Sequence, residues 1–546
     1  MRCFILTMMP VRLSLLAVAS LMGLTLITSG CDQGPRQDPS SAGSHLAEPQ
    51  IEWYEGDIDS AFALAESTGK PLFLYWGAEW CPPCHYLQNK IFSRPEFVAK
   101  TRDFVPVYLD GDTERAQILG ERLEVQGYPT VIVFDPLGNE VMRMPHNIPL
   151  EHYEEVLDAA VAGLRPVSVV LNEVLASGPG EASPSDLRLL AFYSWDQDSS
   201  VELPTGEKLE AFARLYRETP SDLRVEQSRF LTLYLLALVE EEQTLEDLAS
   251  LRSGFAEILQ DAELRNANLT PIFYHVRAII DYLQPEETVA RQELMAAWRA
   301  AAEAMEQDGA LAVDDRLFAT LLRVKLARLE MAAEAGETPE LPSELQDHVR
   351  GRVAWAVEIV TDEGELMTVV NRIGYLLEES GLSSEAEALF LAKMDQTVAP
   401  YYFMSWIAGL KEEAGDTEAA LAWYRKAYDS AQGRYSRFRW GSTYLRRLMD
   451  LAPEEVPTIE EDSLEILGEL LTHEDSFAGG NFSRLDGLEV AYWEWNTEGK
   501  HVDTLDRIRD FVHSSCADYP DAGEDSQRQR CEAFLLDAGI EGDVAL

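Results

Sequence analysis

Trp80-Cys81-Pro82-Pro83-Cys84-His85 directly follows the apolar run Pro71-Leu72-Phe73-Leu74-Tyr75-Trp76. The apolar run predicts a buried strand, and the residues from Pro82 onwards predict a helix. Cys81 then lies at a helix N-terminus, where unpaired N–H groups and the helix dipole favour a thiolate over a thiol. Two residues separate the cysteines, so Cys84 comes within reach of the Cys81 sulfur. The stretch therefore predicts Cys81 as a nucleophile and Cys84 as its redox partner.

Residues 70–97, followed later by Gly127-Tyr128-Pro129-Thr130, resemble the thioredoxin superfamily. Within it they are most similar to the C-terminal domain of membrane thiol:disulfide interchange proteins of the DsbD type. The resemblance covers about residues 50–165. It implies an α/β fold, in which a central mixed sheet is flanked by helices.

The resemblance also implies roles for the residues around the cysteine pair. Trp80, Pro82 and Pro83 are expected to shape the active site. In that family the equivalent proline is cis and faces the disulfide, so the same is expected of Pro129. A cis X–Pro bond is rare and is a fixed feature where it occurs. The backbone around Tyr128 is then free to pair with a substrate chain.

One position departs from that family. The family has a buried acid six residues before the first cysteine, and it helps to deprotonate the second cysteine, whereas this chain has Tyr75 there. The sequence leaves three alternatives open. Glu79 takes the proton from Cys84, water takes it, or the mixed disulfide is resolved slowly.

Residues 81–85 also match CxxCH, the attachment motif of c-type haem. Haem attachment needs an exposed segment, whereas here Trp80 precedes the motif and a buried strand lies behind it. A redox-inactive binding domain is a further alternative.

Structural zinc needs four ligands, and no second CxxC or nearby HxxxH is present. We therefore expect no metal, and no cofactor other than the redox-active disulfide. His85 is expected on the helix surface near the sulfurs, where its charge would tune the Cys81 thiolate.

The overall composition excludes some classes of partner. The chain has 546 residues, 46% of them hydrophobic, and its 45 Lys and Arg against 95 Asp and Glu give a net charge of −50. Such a surface repels nucleic acid and anionic lipid headgroups. A solvated surface that keeps the protein soluble explains the charge, and selection of basic clients is the alternative.

The N-terminal 30 residues have a basic start, an apolar stretch and small residues near position 30, as in a secretory signal. Ser29-Gly30 before Cys31 resembles a bacterial lipobox, although Thr28 departs from it. We expect Cys31 to be lipidated, with a free Cys31 after ordinary signal cleavage as the alternative. Asp32, directly after that cysteine, resembles the signal that retains enterobacterial lipoproteins in the inner membrane, so it favours that location. Residues 31–50 are polar and predict a flexible linker.

Residues 51–165 show the element order expected of a thioredoxin-like domain. The pattern predicts helices over 58–67, 113–124 and 149–164, with a further helix at the cysteines. It predicts strands over 72–76, 104–109, 130–134 and 140–144. The last two strands form a hairpin around Asp135-Pro136-Leu137-Gly138-Asn139, whose Pro and Gly mark a turn.

Residues 166–546 predict an all-α domain, because apolar residues recur there at helical spacing. Around 366–428 a 34-residue repeat resembles the tetratricopeptide pattern. Its equivalent pairs are Gly374/Ala408, Gly381/Gly415, Ala386/Ala420 and Phe390/Tyr424. Two units do not bury a solenoid's faces alone, so neighbouring helices are expected to cover them. A peptide-binding surface and a plain helical scaffold are both left open.

Cys516 and Cys531 lie on two predicted helices, over 505–516 and 525–537. In an exported chain a structural disulfide between them is the expected state. A second redox pair that exchanges electrons with Cys81 and Cys84 is the alternative, although no CxxC spacing supports it.

These features predict a periplasmic, lipid-anchored thiol–disulfide oxidoreductase. Its expected partners are envelope proteins with disulfides or thiols and a thiol donor from another protein, with membrane contact through the lipid anchor alone. Cys81 is expected to be exposed and Cys84 shielded. The competing hypothesis is a non-enzymatic envelope adaptor in which the redox domain is accessory.

Overall fold

The residues that the sequence singled out lie beside a mixed β-sheet. The computed structural model describes residues 50–145, 148–197, 207–245, 247–286, 288–331, 339–521 and 526–536. Within that part, the sheet consists of β1 (Leu72–Gly77), β2 (Val105–Asp110), β3 (Thr130–Phe134) and β4 (Glu140–Met144), in the order β2-β1-β3-β4. Strand β1 is parallel to β2 and antiparallel to β3, and β3 is antiparallel to β4.

The central strand β1 is buried along its whole length. Its side chains alternate between two hydrophobic clusters, because successive residues of a strand point to opposite faces. Phe73 and Tyr75 belong to one cluster, and Leu72, Leu74 and Trp76 to the other. Burial on both faces explains why this strand appears in the sequence as a continuous apolar run.

In the described part of residues 50–165, five helices flank the sheet, of which four lie close to predicted positions and one, Pro95–Thr101, was not predicted. The helix that begins at the cysteine pair, α2 (Pro82–Leu87), continues through a π-helical turn, Gln88–Phe92. The helix predicted over 113–124 is shorter than expected, because Arg115 has a φ of +60° and so cannot continue a right-handed helix. The helices are α1 (Ile58–Thr68), α2 (Pro82–Leu87), α3 (Pro95–Thr101), α4 (Ala116–Arg122) and α5 (Leu150–Gly163).

The described part of the chain after residue 165 is helical, as the apolar spacing predicted. Its helices are α6 (Val167–Ser177), α7 (Pro184–Ala191), α8 (Glu207–Glu218), α9 (Arg224–Glu240), α10 (Ala249–Gln260), α11 (Ala262–Ala267), α12 (Leu269–Tyr274), α13 (Val276–Leu283), α14 (Val289–Gln307), α15 (Val313–Glu330), α16 (Ser343–Ile359), α17 (Glu363–Glu379), α18 (Ser383–Lys393), α19 (Pro400–Glu413), α20 (Thr417–Ser430), α21 (Arg434–Leu451), α22 (Val456–Leu470), α23 (Gly479–Trp495), α24 (Val502–His513) and α25 (Gln527–Ala533).

The helical region is not a separate body beside the sheet. One hydrophobic cluster runs from Phe73 and Cys84 through to Leu535. Helix α17 packs on α2, and α23 packs on α4. The expected boundary at residue 165 falls in the turn between α5 and α6, inside this shared core, and it stays a prediction.

The two turns of the 34-residue repeat have matching geometry. Gly381 follows α17 with a φ of +73°, and Gly415 follows α19 with a φ of +76°. The N–H of each glycine donates to a helix carbonyl, Glu378 O at 2.8 Å and Glu412 O at 2.9 Å. Only glycine adopts this left-handed conformation without strain. The tetratricopeptide assignment itself stays a prediction.

Cys516 and Cys531 are joined by a disulfide, with Cα atoms 5.5 Å apart. The helices around them differ from the predicted ones, since α24 ends at His513 and Cys516 lies in the 3₁₀ turn Cys516–Asp518. Both sulfur-bearing residues are buried.

None of the helices described is, by itself, both long and apolar enough to cross a membrane. The segments His152–Gly163 and Val167–Ser177 meet that requirement only as a pair, and they are bent by 82°. The predicted signal at 1–30, Cys31 and most of the linker 31–50 lie outside the described residues.

Candidate functional site

The cysteine pair lies where β1 leads into α2. Cys81 is the N-cap of α2, and the backbone N–H of Cys84 donates to the Cys81 sulfur at 3.2 Å. The two residues form a disulfide, and their Cα atoms are 5.2 Å apart. Pro82 occupies the first helical position, where a missing N–H costs no helix hydrogen bond. The Cys81 sulfur therefore lies against a backbone N–H that favours its thiolate.

The loop before β3 forms the opposite side of the site. The Tyr128–Pro129 peptide bond is cis, and Pro129 is buried. Tyr128 and Cys81 line the same cavity. Gly127 faces open space there, since no atom lies within 4 Å of the position a Cβ would take.

Helix α21 covers this site from the helical region. Tyr435 stacks on Tyr128 with ring centroids 5.9 Å apart, and Trp440 meets Trp80 edge-on at 5.6 Å. The Arg439 guanidinium lies 4.3 Å from the centre of the Trp80 ring. These contacts place a layer of helical side chains over the residues that flank Cys81.

Helix α17 covers the other side of α2. The Thr368 hydroxyl donates to the Pro82 carbonyl oxygen at 2.9 Å. Lys90, in the π-helical turn that follows α2, forms an ion pair with Glu365. The active-site helix is therefore fixed against α17 by a hydrogen bond to its first turn and an ion pair near its end.

This cover corrects the expected exposure of the nucleophile. Cys84 is 0% exposed, and Cys81, which we expected to be exposed, is only 1% exposed. The prediction for Cys81 considered the cysteine helix alone, whereas α17 and α21 lie across it here. A reagent reaches the Cys81 sulfur only through the cavity or after the helical region moves.

His85 is likewise not on the surface, where we expected it. It is 7% exposed, and its Nε2 lies 2.6 Å from the Glu79 carbonyl oxygen. A Cβ on Gly364 of α17 would lie 3.1 Å from its Nδ1, so the glycine permits this close approach. Burial lowers the pKa of His85, although the Glu79 carbonyl acts in the opposite direction. His85 is therefore packed under α17 as a neutral imidazole at neutral pH.

Tyr75 and Glu79 lie at different positions relative to Cys84, and neither is identified by its position as the group that accepts the Cys84 proton. The Tyr75 hydroxyl donates to the Cys84 carbonyl oxygen at 3.4 Å. Burial raises the pKa of Tyr75, so its hydroxyl stays protonated. Glu79 is exposed, while Cys84 is buried. Tyr75 therefore substitutes for the family's acid in position but not in acid–base chemistry.

Sequence reasoning missed Asp112, which follows β2. Its carboxylate accepts two hydrogen bonds from Ser436 of α21. Burial raises the pKa of Asp112 to about 6, and the bonds from Ser436 oppose that shift. Two acids at the end of a strand were the available signal in the sequence, Asp110 as its last residue and Asp112 just after it.

A cavity of about 330 Å³ opens beside the Cys81 sulfur. Four other predicted site residues line it, namely Trp80, Pro82, Pro83 and Tyr128, whereas Cys84, Pro129, Glu79 and His85 do not. A second cleft of about 560 Å³ adjoins it, and both are bounded by Tyr435. The wall of the first cavity consists of Trp76, Trp80, Cys81, Pro82, Pro83, Gln117, Gly120, Val125, Gln126, Gly127 and Tyr128 from the sheet domain, and of Tyr402, Tyr435, Arg439, Gly479 and Gly480 from the helices.

In the portion of the chain that the structure describes, no group of three or more His, Cys, Asp or Glu side chains is arranged to hold a metal ion. The two cysteines of the motif are joined to each other, and His85 is engaged by the Glu79 carbonyl. The Cys81–Cys84 disulfide at the start of α2 offers exchange of a thiol with a disulfide.

Comparison with known proteins confirms the thioredoxin-like domain. Residues 52–136 match a family described as thioredoxin-like. A protein of Cronobacter sakazakii named thiol:disulfide interchange protein DsbD is 37% identical over 100 residues, which are 18% of this chain and 17% of that protein. The protein of the same name from Escherichia coli K12 is 31% identical over 112 residues, 19% of this chain and 20% of the relative. A solved structure named DsbH oxidoreductase covers 24% of this chain and 96% of its own, at 20% identity and a TM-score of 0.19.

Proposed function

We propose that this protein is an exported thiol–disulfide oxidoreductase that works through Cys81 and Cys84. The observation that carries the proposal is the disulfide at the start of α2, which opens onto a cavity bounded by the cis-proline loop. The similarity of residues 52–136 to thioredoxin-like proteins supports it.

The reaction is two successive thiol–disulfide exchanges. The Cys81 thiolate attacks one sulfur of a client disulfide, and the first client thiolate leaves and takes a proton. The Cys84 thiolate then attacks the Cys81 sulfur, so that the second client thiol leaves and Cys81–Cys84 becomes oxidised. Two electrons from an external dithiol regenerate the pair. The reverse cycle oxidises clients.

The residues around the pair position these steps. The N–H of Cys84 stabilises the attacking thiolate. Trp80, Pro82, Pro83 and Tyr128 shape the cavity in which the client sulfur lies. No group other than the Cys81–Cys84 disulfide is needed to carry the electrons.

The helical region restricts which molecules can reach Cys81. Contacts from α17 and α21 leave the nucleophile 1% exposed, so a folded client needs these helices to move away. We assign to the helical region, including the repeat around 366–428, the binding of envelope clients or of the thiol donor. The contact of α17 with the active-site helix supports this assignment, since α17 is also the first helix of the repeat.

The export signal and the anchor complete the proposal. Residues 1–30 and Cys31 support a periplasmic, lipid-anchored protein, with the inner membrane favoured by Asp32. Cys31→Ser should move the protein from the membrane fraction to the soluble periplasmic fraction. A wild-type protein that is already soluble there would contradict the anchor.

The alternative is a non-enzymatic adaptor in which the redox domain is a structural part of the helical body. The burial of Cys81 under α17 and α21 is the observation that favours it. In that case the disulfide would serve only to hold α2 in place.

Turnover by the full-length protein separates the two functions. Wild-type protein, Cys81→Ser and Cys81→Ser/Cys84→Ser are compared for reduction of a peptide disulfide with dithiothreitol as donor. We expect both variants to lose the activity above the uncatalysed rate. Equal rates in all three proteins would reject the oxidoreductase and leave the adaptor. A redox titration against glutathione then gives the direction, because related pairs span roughly −270 to −120 mV.

A further inference from the structure

The wall of the cavity beside Cys81 is positively charged, although the chain as a whole is strongly acidic. The protein carries a net charge of −50, yet Arg439 is the one charged side chain among the residues described that line the cavity. Its guanidinium lies over Trp80 and Trp440, at 4.3 and 5.2 Å from the ring centres. The described residues place no carboxylate within ion-pair distance of it, so the groups around the cation are two aromatic rings and the Tyr435 hydroxyl.

A second guanidinium lies at the junction with the adjoining cleft. Arg484 donates to the Tyr435 hydroxyl at 3.3 Å, and Tyr435 borders both cavities. Burial raises the pKa of Tyr435, but the nearby charges of Arg484 and Arg439 outweigh it and bring the pKa below its ordinary value. The hydroxyl is thus surrounded by positive charge.

The charged side chains that line the adjoining cleft also have a net positive charge. Its acids are Glu121 and Glu124, and its cations are Arg446, Arg484 and Arg530. Arg530 is engaged by Glu121 at 2.9 Å. In the part of the chain that the structure describes, the cations of the cleft therefore exceed its acids by three to two.

The size of the cavity limits what reaches the sulfur. Its volume of about 330 Å³ is at the lower end of small-molecule sites, which span roughly 300–1,000 Å³. With Cys81 only 1% exposed, the disulfide of a folded protein does not reach the sulfur while the helices are in place. The substrate of this closed arrangement is therefore a small disulfide.

We propose that the cavity and the adjoining cleft together bind low-molecular-weight disulfides that carry a carboxylate a few bonds from the sulfur, with Arg439 of the cavity and Arg484 of the cleft as the groups that receive the carboxylates. The inference rests on the proposed function, and it narrows the substrate class. The Cys81 thiolate attacks one sulfur of R–S–S–R, releasing one RSH, and Cys84 then displaces the second RSH. The Cys81–Cys84 disulfide that results is reduced again by a dithiol.

The test uses three disulfides that differ mainly in charge. Bis(2-hydroxyethyl) disulfide is neutral, cystamine is dicationic, and 3,3′-dithiodipropionate is dianionic, each with two-carbon arms. Their turnover by the full-length protein is measured with dithiothreitol as donor, giving kcat/KM for each. We expect Arg439→Gln and Arg484→Gln each to lower the ratio of the dianion's kcat/KM to that of the neutral disulfide by about tenfold or more, since hydrogen bonds to charged groups are lost.

Comparing this ratio between each variant and the wild type cancels the intrinsic reactivity of the disulfides and any change in the amount of folded protein. Arg447→Gln is the matched control, because Arg447 lies on the same helix, pairs with Glu412 and Asp450, and lines neither cavity. Arg439→Lys, which keeps the charge, should retain most of the wild-type ratio.

The outcomes separate this inference from the proposed function. An unchanged ratio in Arg439→Gln and Arg484→Gln, or an equal loss for all three substrates, would overturn the carboxylate site while leaving the oxidoreductase intact. Activity that survives Cys81→Ser would reject the proposed function itself.

Discussion

Ser436 donates both its backbone N–H and its hydroxyl to the carboxylate of Asp112, at 2.6 and 2.7 Å. The two residues are 324 positions apart. Ser436 lies in the first turn of α21, and Asp112 follows the strand β2. This pair therefore ties the helical region to the thioredoxin-like part beside the active site.

The pair predicts a pH dependence of stability. Burial raises the pKa of Asp112 from its ordinary 3.8 to about 6. A raised pKa contributes stability that is fully present below about pH 4 and lost as the pH rises through about 6. Asp112→Asn should remove this loss, so that from about pH 4 to 7 its free energy of unfolding gains about 3 kcal/mol relative to wild type.

Urea unfolding at both ends of that pH range measures the difference. Asp222→Asn is the control, because Asp222 is exposed. A constant difference between Asp112→Asn and wild type across the range would show that Asp112 titrates as an ordinary surface acid.

The parts that could be predicted from sequence are those fixed by local patterns. The strands β3 and β4 begin and end where the alternation and the Pro-Gly turn placed them. The cysteine helix follows from the apolar run and from Pro82 at its first position. Such signals lie within a few residues of the element that they define.

The cover over the active site could not be predicted in this way. Thr368 and Pro82 are 286 residues apart, and nothing in either segment marks the other as its partner. The exposure expected for Cys81 and His85 was wrong for the same reason, since each was judged on its own helix. Arg439 was missed because an arginine on a helix resembles any solvated one until Trp80 is placed beneath it.

Thr368→Val should loosen the cover. The variant keeps the shape of the side chain but loses the hydrogen bond to the Pro82 carbonyl, which is worth about 1 kcal/mol. In the reduced protein, we expect Cys81 to react about fivefold faster with a bulky maleimide, because the open state is more populated. Thr361→Val, at an exposed position before α17, is the control. Equal rates would mean that the hydrogen bond does not hold the helices closed.

The Cys516–Cys531 disulfide should contribute stability without taking part in turnover. It closes a loop across 15 positions, which restricts the unfolded chain by about 3 kcal/mol. Cys516→Ser/Cys531→Ser should therefore lower the free energy of unfolding by about that amount in non-reducing urea titrations. Peptide-disulfide reduction should persist. Loss of turnover in the folded variant would instead favour a second redox pair.

Gly374 should be intolerant of a side chain. A Cβ there would lie 2.4 Å from the Phe390 ring, which itself packs on Phe403 and Trp406. Gly374→Ala should cost about 1–3 kcal/mol of stability through overpacking. Gly409→Ala is the matched control, because its nearest neighbour would be the Tyr424 hydroxyl at 3.9 Å. There the gain in helix propensity, about 1 kcal/mol, should dominate, so the two variants should shift the melting temperature in opposite directions.

Cys84→Ser should trap the intermediate of the exchange on Cys81. The serine cannot attack the Cys81 sulfur, so a mixed disulfide formed with 3,3′-dithiodipropionate persists and adds the mass of one thiol arm to the protein. Cys81→Ser should form no adduct at the same rate, because Cys84 is 0% exposed and lies deeper in the helix. Intact-mass spectra under non-reducing conditions distinguish these results. Equal labelling of both variants would show that either sulfur can be reached, and it would remove the assignment of Cys81 as the attacking residue. A slow adduct in Cys84→Ser that Thr368→Val accelerates would instead assign the limiting step to opening of the helical cover.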